Sequence, residues 1–220
     1  MRHRYLVVAA LVGAGAAYTL LARPRQLQWG ATDQESGGPL PGDDLLANPD
    51  LTATRAITVR ASGDEVWPWI AQLGQGRGGF YSYDFLENLA GCQMHSADRI
   101  VPEWQAVGVG DEVKLHPDVP LEVVIVEPGG ALVLRGGVPM GDTPPPYDFT
   151  WAFVLREQRD GTTRLLSRER YAYTTWWTPL LVEPVEVVSL VMTQKMLRGV
   201  RDRAERTAVP PAKNRATVNT

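Results

Sequence analysis

The longest periodic segment of the chain, from Pro184 to Arg206, predicts one long helix near the carboxyl end. A proline suits a first helical turn, because the N–H that it lacks has no partner there. The first half is apolar on nearly every side, as in a buried helix, with Val185, Val187, Val188, Leu190, Val191 and Met192. In the second half, opposite charges recur four residues apart, as on exposed helix faces. We therefore expect the first half to be buried.

Upstream, the pattern predicts one strand followed by two short helices. Apolar and polar residues alternate from Leu51 to Ala61, which indicates a half-buried strand. Ser62 and Glu65 form the pattern of a capping box, and the helix that they open is expected to stop at Gly74. A second short helix is expected at about Tyr83 to Leu89.

From Gly110 onward the period changes to two residues, which predicts further strands. The expected strands are Glu112 to Leu115, Leu121 to Glu127, Ala131 to Arg135, Asp148 to Glu157 and Thr162 to Tyr173. A turn at 159–161 joins the last two as a hairpin. Its register places Trp151 opposite Glu169 and Phe149 opposite Tyr171, with the aromatic side chains on one face and Arg156, Arg164 and Arg168 on the other.

This order of elements predicts an α+β fold. An apolar sheet face has to be covered, and the final helix is the natural cover. The expected architecture is therefore a curved antiparallel sheet wrapped around one long carboxyl-terminal helix.

An uncharged run of about 18 residues, from Tyr5 to Ala22, lies at the lower limit of what spans a bilayer. Its flanking arginines favour an amino terminus inside and a domain outside the cytoplasm. We predict a single-pass anchor in the cell membrane. A cleaved signal peptide is the alternative, because Ala14-Gly15-Ala16 has the form of a cleavage site.

The expected domain organisation has four parts. An anchor at 1–22 is followed by a linker at 23–50, which is rich in glycine and proline, with Trp29 and Leu45-Leu46 as residues that could fix parts of it to the domain. The folded domain is expected at 51–206. The tail at 207–220 contains two prolines and no periodicity, which indicates disorder.

Composition excludes several functions. The 220 residues are 44% hydrophobic and 21% charged, so the chain can bury a core, and a net charge of −3 offers no nucleic-acid surface. The single Cys92 excludes an intrachain disulfide. His3, His95 and His116 have neither zinc spacing nor a Ser or Cys partner at a recognisable spacing. We therefore expect no metal, no cofactor and no catalytic triad.

Five stretches of the chain form a recognisable set: WGATDQE at 29–35, VWPWIAQLGQGRGGFYSYDFLENLAG at 66–91, SADRIVPEWQ at 96–105, VGVGDEV at 107–113 and QKMLRGVRDRAE at 194–205. Together they resemble an actinobacterial, membrane-anchored branch of the START-like superfamily, also called SRPBCC or polyketide cyclase-like. The resemblance covers residues 29–206 and implies the helix-grip fold, with a deep cavity for lipids, polyketides or other apolar molecules. It implies little about chemistry, because members include carriers, sensors and cyclases.

Nine residues are candidate ligand contacts: Tyr81, Tyr83, Trp104, Trp151, Phe153, Glu169, Tyr171, Met192 and Met196. Tyrosines combine an apolar ring with a hydroxyl that can orient a ligand, and methionines suit an adaptable cavity wall. Packing of the helices on the sheet, and core filling by the methionines, are the alternatives.

Glu169 is the most informative charge, because the predicted register places it on the aromatic face. A carboxylate there could act as an acid, a base or a polar anchor. Two alternatives remain open: a register shift by one residue would expose it, and Arg55, which also points inward, could form a structural pair with it.

The run from Gly74 to Gly79 matches G-x-G-x-x-G. A dinucleotide site needs this motif after a strand, but here it follows a predicted helix. We interpret it as a tight turn or a lid at the cavity mouth.

Three functions are compatible with this pattern. The first is a membrane-tethered protein that binds a hydrophobic small molecule or lipid without chemistry. The second is a cyclase or dehydratase-type enzyme that uses Glu169 with a tyrosine and requires Glu169 inside the cavity. The third is a membrane-surface interaction domain, which requires Trp176 and Trp177 to be exposed together.

Overall fold

A computed structural model describes Tyr18, residues 22–138 and residues 143–208. Its sheet contains six antiparallel strands in the order β1-β6-β5-β4-β3-β2. The strands are β1 (Leu51–Val59), β2 (Glu112–His116), β3 (Val119–Glu127), β4 (Ala131–Gly136), β5 (Tyr147–Glu157) and β6 (Thr163–Tyr173). The helices are α1 (Arg23–Leu27), α2 (Asp33–Gly37), α3 (Gly63–Ala71), α4 (Asp84–Leu89) and α5 (Thr178–Thr207). This architecture is consistent with the helix-grip fold.

The hairpin of β5 and β6 has the predicted register. Trp151 pairs with Glu169 and Phe149 pairs with Tyr171. The aromatic side chains therefore share the inner face of the sheet, where Phe153 is buried in the main core. The second half of α5 covers this face with Met196, Leu197, Val200 and Ala204, all of them buried.

The long helix begins six residues earlier than predicted, because the sequence offers two prolines that suit a helix start. Pro179 occupies the first turn, and the Thr178 hydroxyl donates to the Pro146 carbonyl at 2.7 Å. Pro184 therefore lies inside the helix and not at its start. A proline there removes the donor for the Leu180 carbonyl, and Leu180 is exposed, so water can replace that donor.

The prediction that the first half of the long helix is buried is wrong. Four of its valines are between 45% and 60% exposed, namely Val185, Val187, Val188 and Val191. The buried side of this half contains Val182 but also the polar residues Glu186 and Thr193. The inward face is polar because it meets a buried ion pair on the sheet, described below.

Within the stretch 23–50 that was predicted to be a linker, Leu27 and Trp29 pack against the main core, whereas residues 31–46 pack on the outer face of the sheet. Arg168 explains why, because its guanidinium is only 2% exposed and binds this stretch through several donors. It donates to the carbonyls of Glu35, Ser36 and Gly38 and pairs with the Asp43 carboxylate at 2.5 Å. A second apolar cluster, containing Leu40, Ala56, Val133, Val154 and Leu166, fills the same interface.

The described part of the chain has no helix that is both long enough and apolar enough to cross a bilayer. The predicted anchor at 1–22 lies outside the described residues except for Tyr18 and Ala22. Thr207, predicted to begin the tail, is the last residue of α5, and residues 209–220 also lie outside the described part.

Candidate functional site

A cavity of about 210 Å³ lies between the inner face of the sheet and the middle of α5, at residues 189–196. Two further segments close its sides, namely α4 and the loop before it. The lining residues are Phe80, Ser82, Glu87, Met94, Leu115, Phe149, Trp151, Glu169, Tyr171, Ser189, Met192, Thr193 and Met196. Lining residues on several elements, including Glu87, Leu115, Ser189 and Met192, are partly exposed, so the cavity is open to solvent.

Four aromatic rings contribute to the mainly apolar wall of the cavity. Trp151 stacks on Phe80 with ring centroids 5.5 Å apart, and the Phe149 ring lies 4.7 Å from that of Tyr171. Alternation along β5 and β6 places these rings side by side, because every second residue of a strand points to the same face. Met192 and Met196 complete the wall from α5. Flexible thioethers opposite rigid rings suit an apolar guest of variable shape.

A buried polar cluster forms one end of the cavity. Glu169 is 3% exposed and pairs with Arg55 at 3.0 Å. Its carboxylate also accepts from Ser189 at 2.8 and 2.9 Å, from Thr193 at 3.1 Å and from the Tyr171 hydroxyl at 3.2 Å. Every oxygen of Glu169 is therefore engaged by donors of the protein itself, which makes it a structural partner of Arg55.

The cluster continues away from the cavity. Arg55 also donates to Glu186 of α5, and the second oxygen of Glu186 accepts from Gln26 of α1. Burial raises the pKa of Glu186, and the charge of Arg55 opposes that shift. One guanidinium thus faces two carboxylates, and this arrangement holds α5 and α1 to the sheet.

Tyr171 contributes a neutral hydroxyl to the wall. Burial raises the pKa of Tyr171 well above its usual value, and the neighbouring charge of Glu169 adds to the shift. The hydroxyl therefore stays protonated at neutral pH and acts as a donor to Glu169.

Glu87 of α4 is the polar lining residue whose hydrogen-bonding capacity is not fully used within the described part of the chain. Its Oε2 atom is buried and has no hydrogen-bond partner there. Burial, and then the charge of Asp84, raises the pKa of Glu87 to about 7. Asp84 itself is engaged by Ser96, whose N–H and hydroxyl both donate to it. Glu87 can thus meet a donor on a guest, or donate when protonated.

Five of the nine predicted contacts line the cavity, namely Trp151, Glu169, Tyr171, Met192 and Met196. Tyr81, Tyr83, Trp104 and Phe153 are absent from that lining. The Tyr81 hydroxyl is buried between Gln72 and the Trp69 carbonyl, and Tyr83 is 40% exposed beside Lys195. The Trp104 carbonyl binds Arg77, and Phe153 lies in the core beyond Trp151.

Sequence reasoning missed Ser189, Thr193 and Glu87 as lining residues. Ser189 and Thr193 are four residues apart within an otherwise apolar half-helix, and this spacing places them on one helix face. That polar stripe was a usable signal. Glu87 gave no comparable signal, because its direction depends on how the preceding loop positions α4.

The glycine-rich run forms a tight turn, as interpreted, in which Gly74 and Gly79 pair as an isolated bridge. Gly74, Gly76 and Gly79 have positive φ angles.

The condition for an interaction domain built on two indoles is not met, because Trp176 is 87% exposed but Trp177 is only partly exposed. His95 does not line the cavity. The described residues contain no group of three or more His, Cys, Asp or Glu placed to hold a metal ion.

A comparison with models of known protein families finds no match, and no curated protein matches. Solved structures with a similar arrangement include protein MLL2253 from Mesorhizobium loti, at 13% identity and a TM-score of 0.45, over 72% of this chain and 100% of that one. Norcoclaurine synthase from Thalictrum flavum is 13% identical with a TM-score of 0.41, over 69% and 84% of the two chains. DynU16, from the dynemicin biosynthetic locus, is 18% identical with a TM-score of 0.38, over 68% of this chain and 47% of DynU16. Similarity at this level identifies neither a ligand nor a reaction for the chain.

Proposed function

We propose that the protein binds a hydrophobic small molecule or lipid in the cavity between sheet and α5, while the apolar run before Ala22 tethers it to a membrane. The supporting observation is the cavity itself, about 210 Å³ with a mainly apolar lining. Pockets with apolar walls and a few placed polar groups are typical of small-molecule sites. In this proposal Glu87 receives the one polar group of the guest.

Binding without chemistry is favoured by the state of Glu169. A general base needs a free oxygen within hydrogen-bond reach of the substrate proton. Both oxygens of Glu169 already accept from Arg55, Ser189, Thr193 or Tyr171. We therefore assign Glu169 a structural role in the cavity wall and not a role in proton transfer.

A second function, a cyclase or dehydratase-type reaction, is favoured by one observation. The Glu87 carboxyl lines the cavity, has a buried oxygen without a partner in the described structure, and has a pKa of about 7. An acid or base with a pKa near the working pH is suited to proton transfer.

The experiment that tests binding is native mass spectrometry of the full chain, released from a mild detergent without added lipid. The proposal expects a bound mass that is lost when the protein is unfolded, and protein that is always empty would overturn it. Small molecules extracted from the wild type and from Glu87→Gln, produced in the same host, separate the two functions. A binding protein carries the same molecule in both, in a smaller amount in the variant because the carboxylate that receives the guest's polar group is gone, whereas an enzyme accumulates a different molecule in the variant.

A further inference from the structure

The first half of α5 has polar residues on its inward face and apolar residues on its outward face, which is the reverse of an ordinary surface helix. Its inward face carries the polar residues Glu186, Ser189 and Thr193, which join the Arg55 and Glu169 cluster. Its outward face is apolar. Helices that face water show the opposite arrangement, with apolar residues toward the core.

The outward residues form a continuous stripe. Leu180, Pro184, Val187, Val188 and Val191 recur at spacings of three and four, which places them along one helix face. Leu180 is 74% exposed and Val188 is 60% exposed. At 1.5 Å per residue the stripe is roughly 17 Å long. We call these five residues the apolar stripe.

The same face changes character one turn later. Lys195, Arg198 and Asp202 continue the spacing of the apolar stripe, so charges replace valines on that face. Within the first half the two acidic residues are both engaged, Glu183 by Arg23 and Glu186 by Arg55. The first half of α5 therefore has no unpaired acidic side chain beside the apolar stripe. Beyond the stripe, the same face carries the cations Lys195 and Arg198.

A second apolar patch lies across the cavity. Phe85 and Leu89 of α4 are each 72% exposed, and Leu86 is 46% exposed. The polar residues of α4 leave this patch uninterrupted by free charge, because Glu87 lines the cavity and Asn88, although exposed, bonds to the Met94 backbone. The segment that leads into α4 contacts α5, since the Ser82 hydroxyl donates to the Met192 carbonyl at 3.1 Å.

The chain that directly follows the apolar run of the amino end lies beside the apolar stripe. Arg23 directly follows that run and forms an ion pair with Glu183. Glu183 is the neighbour of Pro184 and lies four residues before Val187. A membrane entered by the run before Ala22 would therefore meet the first half of α5.

We infer that the apolar stripe and the α4 patch of Phe85, Leu86 and Leu89 dock on the surface of a lipid bilayer, so that the cavity that α4 and α5 both line receives its guest from the membrane. The inference rests on the proposed function. Interfacial helices insert an apolar face about 5–10 Å into the boundary of headgroups and acyl chains. Lys195 and Arg198 then lie at the level of anionic headgroups, where long basic side chains are favoured.

The test uses the full chain in vesicles of phosphatidylcholine and phosphatidylglycerol. In a Cys92→Ser background, single cysteines replace Leu89, Val188 or Asp202 and carry a nitroxide label. Asp202→Cys is the matched control, because it lies on the same face of α5 beyond the cations. The inference expects oxygen to collide with the labels at 89 and 188 more often than a water-soluble nickel chelate does, and the reverse at 202. Circular dichroism of each labelled protein verifies folding, and Leu180→Cys replaces Val188→Cys if that variant is unfolded.

Three outcomes overturn the inference. Labels at 89 and 188 that behave like the label at 202 show that this surface faces water. Labels shielded from both reagents with spin–spin broadening show that a second copy covers it, and shielding without broadening shows that the chain's own amino-terminal run does. Native mass spectrometry on the same samples tests the proposed function separately, because a filled cavity with labels in water contradicts only the docking.

Discussion

Arg55 on β1 and Glu169 on β6 are diagonal neighbours across two antiparallel strands, with Arg55 opposite Ser167 and Glu169 opposite Ala53. Their side chains meet on the inner face of the sheet with an N–O distance of 3.0 Å, and both are almost fully buried. The pair therefore closes one end of the cavity and anchors α5 through Ser189 and Thr193.

Removing one member of this pair should be costly. Arg55→Met leaves Glu169 and Glu186 buried without their cation, and loss of one partner from a buried pair typically costs about 3–5 kcal/mol. We expect a loss of unfolding free energy of that order in urea titrations in mild detergent. Arg159→Met, in the exposed turn of the hairpin, is the matched control and should be nearly neutral. A loss below about 1 kcal/mol for Arg55→Met would contradict the structural role.

Gly199→Ala should destabilise the protein although it improves helix propensity. A Cβ atom at this position would lie 2.2 Å from the Tyr81 carbonyl oxygen, which is backbone and cannot rotate away. Ala is favoured over Gly in a helix by about 1 kcal/mol, but overpacking costs about 1–3 kcal/mol or more. We expect a net loss in the same urea titration.

Gly37→Ala is the control for this glycine. It lies at the end of α2, has nothing within 4 Å of an added Cβ and should leave stability unchanged or slightly improved. If Gly199→Ala were as stable as Gly37→Ala, the close approach of α5 to the backbone of Tyr81 would be refuted.

Glu87→Gln should change how stability depends on pH. Because burial raises the pKa of Glu87 to about 7, the folded wild type binds this proton more tightly than the unfolded chain does. The wild type should therefore lose stability as pH rises from about 4.5 through 7, whereas the variant lacks this loss. The full effect of this pKa change would be about 3 kcal/mol. Because Glu87 is only partly buried, solvent screening reduces it, and we expect the variant to be more stable by about 2 kcal/mol at pH 8, with little difference at pH 4.

Urea unfolding of delipidated protein at several pH values measures this difference. Glu103→Gln, on the exposed turn at Pro102–Trp104, replaces a carboxylate that is not buried and is the matched control for this substitution. Parallel stability curves for wild type and Glu87→Gln would show that Glu87 is not buried against the cavity.

Met192→Trp should exclude the guest from the cavity. The indole is larger than the thioether and enters a space of only about 210 Å³, so bound mass in native spectra should fall by at least about tenfold, equivalent to about 1.4 kcal/mol. Gln194→Trp adds the same ring to the same helix outside the cavity lining and should retain the guest. Equal occupancy in the two variants would place the guest elsewhere.

The register of the β5–β6 hairpin was predictable, because the turn at 159–161 and the alternation of aromatics constrain it jointly. Glu169 was thereby placed on the correct face, and Arg55 was named as its alternative partner. Both assignments needed only the period of two residues along a strand.

Which side of the long helix is buried, and where the helix begins, were not predictable from the pattern of apolar and polar residues. A segment that is apolar all round can face a core or a lipid, and composition does not distinguish them. Its start was misplaced because Pro179 and Pro184 offer equivalent signals for a first turn. The direction of Glu87 required the path of the loop before α4, which no periodic pattern encodes.

The grip of Arg168 on the stretch before β1 determines how far the domain can be shortened. All five N–H groups of its guanidinium are used, on Thr54, on Asp43 and on the backbone of residues 35, 36 and 38. Because one buried side chain makes all of these hydrogen bonds, we expect residues 29–46 to dissociate from the sheet only when the sheet itself unfolds. A version trimmed to begin at β1 would bare a buried arginine and half of an apolar interface, and proteases should spare this irregular stretch until the whole domain opens.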